Sequence, residues 1–270
     1  MEAHYATIFE KNADTIPNRP ALICGDNVRT WKEYDDRAAR LASMLTSHGL
    51  GSDSKVGLYL HNSNEYYPML AEALGRDAIY FDYVTSVNQA LDNKLYLNKF
   101  DALLLYANHP HLSSNQWKNL LSYVKSGKGF IPVHCASWCF SNVPEYDQLV
   151  GGRFKSHQGA VFSPRVVKRN HPAVQGIGKL EAWDETYFHE RHNPKNRTVL
   201  MVRDPLPGDP HIQPEPWTWV RTEGKGRVFY TASGHDERVW NKSEFHQLIK
   251  KGILWAVGEK VHKRYEKFLT

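Results

Sequence analysis

The stretch EPWTWVRTEGKGRVFYTASGHDER, residues 215–238, decides the fold and indicates where the function lies. Its second half alternates over residues 227–232 between Gly226 and Gly234, a pattern typical of a β-strand. A cluster of His, Asp, Glu and Arg follows at residues 235–238. Titratable residues on a turn at a strand end are typical of the sites of open α/β folds. The stretch therefore predicts a strand that leads into part of a site.

A second strand-end cluster lies near the middle of the chain. Residues 130–134, FIPVH, form a short apolar run after a Gly-Lys-Gly turn, and the run breaks at residues 135–138, CASW. A sharp strand-to-helix turn that displays one reactive side chain is the geometry of a nucleophile elbow. Consecutive residues of an extended strand point to opposite faces. His134 and Cys135 can therefore reach one site only if a turn lies between them.

A third cluster, WDETYFH at residues 183–189, contains two carboxylates, a phenol and an imidazole. Asp184 and Glu185 are adjacent, so they face opposite ways in a strand, and either one can reach the site while the other caps or is solvated. Glu185, Tyr187 and His189 alternate, and they share one face if the segment is extended. The cluster therefore predicts that either Asp184 or Glu185 reaches the site. If the segment is extended, it also predicts that Glu185, Tyr187 and His189 lie together on one face.

Taken together, the three clusters resemble the ThuA-like (trehalose utilisation) family, a branch of the class I glutamine amidotransferase-like folds. The resemblance covers about residues 78–258. It implies an α/β fold with a flavodoxin-like open, mostly parallel sheet and helices on both faces, and a role in carbohydrate utilisation. The blocks that carry it, in one order, are GKGFIPVH at 127–134, LVGGRF at 149–154, NHP at 170–172, WDETY at 183–187, and GKGRVFY through GHD at 224–236.

The resemblance also implies roles around His134, which stands where class I amidotransferases place the nucleophilic cysteine. The glycines that flank that cysteine are replaced here by Val133 and Ala136. Residues 234–237, GHDE, resemble the His-x-Glu pair that activates the thiol. With histidine at this position the glutaminase chemistry is lost, so His134 is expected to be a general base, a substrate donor or a metal ligand, or else a core histidine bonded to backbone. Cys135 is expected to be a small buried thiol.

The candidate site residues fall into two groups. The first supplies proton donors and acceptors. These predicted catalytic residues are His134, His235, Asp236, Glu185 and Asp184. The second group supplies hydrogen-bonding groups and flat rings for the face of a sugar, although large aromatic residues more often belong to a core. These predicted substrate-binding residues are His109, Trp138, His157, Tyr187, His189, Trp217 and Glu237.

The sequence assigns no cofactor outright. His134, His157, His189 and His235 could converge on a zinc-like divalent metal, because imidazole suits such ions. However, no HExxH or paired CxxC motif sets their spacing. The three cysteines do not form a disulfide framework and favour a reduced, cytoplasmic protein.

The N-terminal quarter of the chain has a different character. Residues from about 5 to 75 resemble the start of an adenylate-forming acyl-CoA synthetase. The matching stretches include NRPAL at 18–22, RTWKEY at 29–34 and VGLYL at 56–60. The phosphate loop, the adenine-binding segment and the catalytic lysine of that family lie further downstream in its members and have no counterpart in this sequence. We therefore expect a fragment without adenylating activity, present as a fusion.

Three segments are predicted from this division: a synthetase-like fragment at 1–76, a ThuA-like domain at 77–260 and a basic C-terminal tail at 261–270. A ThuA-like domain normally opens with its own first strand, followed by a loop and a long helix, and those elements are missing here. A strand at 55–60 and a helix at 65–74 occupy that position. They either replace the missing unit or pack poorly.

The composition of the chain indicates which classes of partner to expect. With 270 residues, 41% hydrophobic and 23% charged, the chain can form a core and has the balance of a soluble protein. No apolar run reaches the roughly 20 residues that span a membrane, and the first residues do not resemble a signal peptide. The net charge of +5 is scattered, apart from a basic patch at 260–267 typical of a solvated helix end. We expect a cytoplasmic protein that binds a small carbohydrate, neither nucleic acid nor membrane, and that could form a homo-oligomer.

These features favour acid/base chemistry on a small sugar or oxidised glycoside, by isomerisation or by glycoside cleavage, with His134 and His235 central. The alternative is a non-catalytic sugar-binding domain that uses the same aromatic rings and carboxylates. Neither a glutaminase nor an adenylating ligase is expected, because the thiol and the phosphate loop that those reactions need are absent from the sequence.

The replaced thiol generates a first prediction. The protein should release no ammonia from glutamine, because His134 stands at the position of the nucleophile and no Gly-x-Cys-x-Gly elbow is present. A coupled ammonia assay measures this directly. Glutamine hydrolysis that disappears in Cys135→Ala would overturn the prediction, since Cys135 is the neighbouring thiol.

Overall fold

The computed structural model describes residues 11–24, 27–47, 56–59, 79, 81–84, 86–210 and 212–266. The strands are β1 (Pro20–Cys24), β2 (Asn27–Thr30), β3 (Val56–Tyr59), β4 (Phe81–Val84), β5 (Ala102–Leu105), β6 (Gly129–Pro132), β7 (Arg153–Ser156), β8 (Gly159–Phe162), β9 (Arg165–Val166), β10 (Ala182–Glu185), β11 (Phe188–Glu190), β12 (Arg197–Arg203), β13 (Glu215–Glu223) and β14 (Gly226–Thr231). The helices are α1 (Trp31–Ser47), α2 (Val87–Leu91), α3 (Lys94–Leu97), α4 (Ser114–Lys125), α5 (Pro144–Val150), α6 (Glu237–Trp240), α7 (Ser243–Val257) and α8 (Glu259–Glu266), with a 3₁₀ helix at His134–Ser137.

One large sheet organises the described part of the chain. Its eight strands lie in the order β4-β3-β5-β6-β14-β13-β12-β9. The first five run parallel to their neighbours, whereas β13, β12 and β9 add an antiparallel half. The predicted α/β fold is therefore confirmed. The sheet is mixed because β13 and β14 are joined by a tight hairpin at Gly224, whose φ of 60° suits glycine.

Helices cover both faces of the parallel half, as predicted. Leu103, Leu105 and Phe130 point toward α2 and α4, with which they enclose a small apolar gap. The opposite face is covered by α7, which packs so closely on β6 that a Cβ at Gly129 would lie 3.0 Å from Ala256. Consecutive residues of a strand alternate between faces. The central strands β5 and β6 are therefore buried along their whole length, and their residues are apolar.

Strand β3 takes the place in the sheet where a first strand of the domain was expected. It pairs in parallel with β4 on one side and with β5 on the other. Of the two alternatives left open by the sequence, the strand at 56–59 thus joins the sheet. The helix expected at 65–74 and the boundary near residue 76 lie outside the described residues, so the division into segments stays a prediction.

The hairpin β1–β2 forms a separate two-stranded sheet ahead of α1. A capping box starts α1: the Thr30 backbone N–H donates to Glu33 Oε2 at 2.8 Å, and the Glu33 N–H donates to Thr30 Oγ1 at 3.3 Å. Within the described residues, no helix is both long and apolar enough to cross a membrane.

A second prediction follows from the close packing of the β13–β14 hairpin on α4. A Cβ at Gly226 would lie 1.9 Å from the backbone oxygen of Val124, so Gly226→Ala must displace backbone. We expect it to lower the free energy of unfolding by about 1–3 kcal/mol or more in urea denaturation. Gly178→Ala is the control, because its new methyl group meets only the flexible, half-buried Glu244 side chain, at 3.3 Å. Equal midpoints for the two variants would contradict this packing.

Candidate functional site

A strained turn at His134 organises the site. Strand β6 ends at Pro132, Val133 forms a bridge to Thr231 of β14, and His134 then adopts φ 49° at the start of the 3₁₀ helix. A left-handed conformation is uncommon for a residue with a side chain and costs on the order of 1–3 kcal/mol. The turn separates the directions of His134 and Cys135, so both side chains reach one cleft. This is the elbow geometry that the sequence predicts, with an imidazole at its tip.

The cleft has a volume of about 380 Å³ and opens at the carboxyl edge of the parallel strands. Tyr106 follows β5, His134 follows β6, and His235 lies beyond β14. The expectation that strand ends converge on one site agrees with this arrangement. The lining residues are Tyr106, Asn108, His134, Cys135, Trp138, Phe154, His157, Glu185, Tyr187 and His235.

Three imidazoles surround the carboxylate of Glu185. Its Oε2 lies 3.2 Å from His134 Nε2, and its Oε1 lies 3.2 Å from His235 Nδ1 and 3.4 Å from His157 Nε2. Burial would raise the pKa of Glu185, but its hydrogen bond to His134 and the three histidine charges outweigh burial, so the pKa lies below its ordinary value. The centre of the cleft is therefore an ionised carboxylate.

The ring of His134 is fixed from two sides. Its Nδ1 lies 2.7 Å from the backbone oxygen of Ala232, so Nδ1 carries the proton and donates it. Tyr187 stacks on the ring with centroids 4.3 Å apart. His134 is almost fully buried, whereas the side chains of His235 and His157 are 37% and 42% exposed. Of the three rings, those of His235 and His157 are therefore the ones that contact solvent in the cleft.

Asp184 holds the loop that carries His235. Its carboxylate accepts the backbone N–H groups of Gly234 at 3.1 Å and of His235 at 3.2 Å. Burial raises the pKa of Asp184 to about 6, against the opposing influence of His134 and these backbone donors. Tyr106 adds bonds from its hydroxyl to the carbonyls of Gly234 and His235, at 2.9 and 3.0 Å. Asp184 is therefore a positioning residue, and its neighbour Glu185 faces the cleft.

The other predicted site residues lie outside the lining of the cleft. Trp217 is fully buried and donates to Ser233 Oγ at 2.7 Å. His109 Nδ1 donates to the backbone oxygen of His111 at 2.9 Å. Asp236 caps α6 and pairs with Arg238, and Glu237 is exposed in the first turn of that helix.

His189 departs from the predicted constellation because the chain turns after β10. The N–H of Tyr187 donates to the carbonyl of Glu185 at 3.0 Å, so the segment is not extended there. Tyr187 reaches the cleft. His189 instead packs behind it, with Nδ1 2.9 Å from Glu215 Oε1 and Nε2 3.0 Å from the Tyr230 hydroxyl. The prediction that Glu185, Tyr187 and His189 share one face required an extended segment, and the segment is not extended.

Sequence reasoning missed Tyr106, Asn108 and Phe154. The strand-end signal after β5 pointed to the correct loop but favoured His109, because histidine is the more reactive residue type. Phe154 lies in β7, within the LVGGRF block, and gave no chemical signal of its own. Cys135 lines the cleft, but burial raises the pKa of its thiol, so it is not a ready thiolate nucleophile.

Comparison with known proteins decides the family. A family model described as trehalose utilisation matches residues 55–256. The chain belongs to the ThuA family. A ThuA-like protein from Bacteroides uniformis superposes with a TM-score of 0.64 at 17% identity, covering 82% of this chain and 97% of the other. A ThuA-like protein from Parabacteroides merdae gives 0.61 at 18%, covering 77% and 90%. These likenesses confirm the fold, and the pairing of β3 agrees with a match that begins at residue 55.

The N-terminal resemblance is also confirmed. Residues 9–80 match a family model described as AMP-binding enzyme. A medium/long-chain-fatty-acid–CoA/3-oxocholest-4-en-26-oate–CoA ligase from Mycobacterium tuberculosis is 43% identical over 60 residues, which is 22% of this chain. The chain spans only 11% of the length of that ligase. The ThuA and AMP-binding matches overlap between residues 55 and 80.

A third prediction concerns the pH dependence of stability. Burial lowers the pKa of His189 below its ordinary value, although Glu215 opposes the shift. The unfolded chain then binds more protons than the folded one as pH falls below about 6.5, so the free energy of unfolding decreases toward acid. His189→Gln should show a shallower decrease between about pH 7 and 5 in denaturant titrations.

His111→Gln is the matched control, since His111 is an exposed loop histidine. In this variant the free energy of unfolding should decrease with falling pH as steeply as in the unmodified protein. An equally steep decrease in His189→Gln would show that His189 is not the group responsible.

Proposed function

We propose that the cleft binds a small sugar or an oxidised glycoside and performs acid/base chemistry on it, by isomerisation or by glycoside cleavage. The observation that carries this proposal is the ionised Glu185 in contact with three imidazoles at the centre of an aromatic-walled cleft. Membership of a family described as trehalose utilisation supports a carbohydrate as the substrate class.

The walls of the cleft suit a sugar. A volume of about 380 Å³ lies within the range of about 300–1,000 Å³ typical of small-molecule sites. Trp138, Phe154 and Tyr187 offer flat rings to the C–H face of a pyranose. Asn108 offers an amide donor and acceptor for hydroxyl groups. An aromatic wall and a polar floor together match the amphipathic surface of a sugar ring.

The polar floor supplies both halves of a proton transfer. Glu185 is an ionised acceptor at the centre, and His157 and His235 contact it while remaining partly exposed. In isomerisation, a base removes a proton from the carbon beside a carbonyl and an acid protonates the oxygen. In glycoside cleavage, an acid protonates the leaving oxygen. Either reaction needs one acceptor and one donor within hydrogen-bond reach of the sugar, and such groups contribute typically 10²–10⁴-fold to the rate.

Thiol chemistry is not part of the proposal, because burial raises the pKa of Cys135. Adenylation is also not part of it, because the phosphate loop that holds ATP in adenylate-forming enzymes has no counterpart in this sequence. A cytoplasmic location, which the sequence predicts, fits a catabolic role in sugar use and belongs to the same proposal.

A fourth prediction tests the proposal. The protein is incubated with trehalose, glucose and their oxidised forms, and products are followed by proton NMR. Turnover of at least one sugar is expected, with kcat/KM reduced about 10²–10⁴-fold in Glu185→Gln. Glu145→Gln is the matched control, since Glu145 is exposed on α5 and does not line the cleft, and it should leave turnover unchanged.

The outcomes separate the candidate functions. Sugar binding in calorimetry without turnover would favour the non-catalytic sugar-binding alternative. Neither binding nor turnover of any sugar tested would overturn the carbohydrate proposal. Melting temperatures are recorded alongside, so that loss of the fold is not mistaken for loss of chemistry.

A further inference from the structure

We propose that His134, Glu185 and His235 bind one divalent transition-metal cation of the zinc class at the base of the cleft. This inference deepens the proposed function, because it rests on the same cleft, but cation binding can be measured with no sugar present. Each of the three residues offers one ligand atom, and these atoms all lie within 4.8 Å of one another.

The spacing of the ligand atoms fits a tetrahedral cation. Zinc binds imidazole nitrogen and carboxylate oxygen at about 2.0–2.2 Å, so two ligand atoms of a tetrahedral site lie about 3.3 Å apart. His134 Nε2 lies 3.2 Å from Glu185 Oε2, and His235 Nδ1 lies 3.2 Å from the other carboxylate oxygen, Oε1. Each imidazole is therefore at ligand–ligand distance from one oxygen of the same carboxylate, and a cation between them would draw the three side chains together from their span of at most 4.8 Å.

The orientation of the His134 ring suits a metal ligand. Its Nδ1 donates to the carbonyl of Ala232 at 2.7 Å. Its other ring nitrogen, Nε2, lies 3.2 Å from Glu185 Oε2. Nδ1 bonded to a backbone carbonyl, with Nε2 directed into the site, is the usual arrangement of a metal-binding histidine. One cation would contact His134, Glu185 and His235 together.

The ligands are held in place before any cation binds. The left-handed turn and the stacked Tyr187 fix His134, and Asp184 fixes the backbone of His235. Three protein ligands are typical of catalytic rather than structural zinc sites, since a fourth position stays accessible to water or substrate. Here that position faces the cleft, where a cation would polarise a sugar carbonyl or hydroxyl oxygen. With Glu185 and His235 acting as ligands of the cation, the proton-acceptor role that the proposed function gives to Glu185 would pass to His157, which contacts Glu185 Oε1 at 3.4 Å.

The nature of the ligands selects the class of cation. Two imidazoles and one carboxylate suit zinc and neighbouring first-row ions, whereas magnesium and calcium prefer oxygen ligands throughout. We therefore expect Zn²⁺ to bind tightly and Mg²⁺ to compete poorly.

The test is a titration of chelator-treated, full-length protein with ZnSO₄ in a calorimeter, without sugar. One equivalent should bind with a dissociation constant in the micromolar range or below, and a 100-fold excess of MgCl₂ should not displace it. Glu185→Gln and His235→Gln should each weaken binding at least 10-fold. Glu145→Gln and His111→Gln, which change exposed residues, should bind as the unmodified protein does.

The results separate this inference from the proposed function. Absence of a stoichiometric site, or Zn²⁺ binding unchanged in Glu185→Gln, would overturn the cation proposal whatever the sugar assays show. Zn²⁺ binding lost in Glu185→Gln, with no sugar turned over, would uphold the cation site and count against the proposed reaction. Anomalous scattering at the zinc edge then gives an independent check, with density expected between His134 Nε2 and His235 Nδ1.

Discussion

The buried negative charge of Glu185 is the constraint on which the cleft depends. A carboxylate with only 13% of its side chain exposed must be compensated, because burial alone disfavours its ionised form. Compensation comes from His134, His157 and His235, which are far apart in the sequence. The ends of β6, β10 and β14 and the link between β7 and β8 must therefore meet. The sheet order that places β6 beside β14 is what makes the charge tolerable.

Much of this arrangement was predictable from local signals. The alternating and apolar runs predict β5, β6 and β14, and parallel strands end at one edge, so their trailing histidines and acids were expected to meet. The turn after Glu185 was not predictable. It depends on β10 pairing with β8 and β11 pairing with β7, which no local pattern encodes. The burial of His189 against Glu215 and the presence of Asn108 in the lining likewise follow from contacts between distant segments.

Strand β3 lies in the stretch that both family models match, residues 55–80. An interior parallel strand is covered on both faces and pairs on both edges, so it requires little beyond extended apolar residues. The sequence VGLY at 56–59 meets that requirement, although it belongs to the region that matches AMP-binding enzymes. Removal of β3 would leave β4 and β5 without a shared neighbour. Among the described residues, the N-terminal region therefore contributes to the same sheet as the cleft.

Two adjacent acids serve the site because β10 points them in opposite directions. Asp184 is surrounded by backbone donors and is almost fully buried, and burial raises its pKa to about 6. Glu185 faces imidazoles, and its pKa is lowered. The first residue fixes the loop that carries His235, and the second faces that same histidine from the cleft. Asp184 thus positions the backbone of His235, and the next residue, Glu185, contacts the His235 ring. Strand β10 therefore fixes the geometry of the histidine and its carboxylate partner.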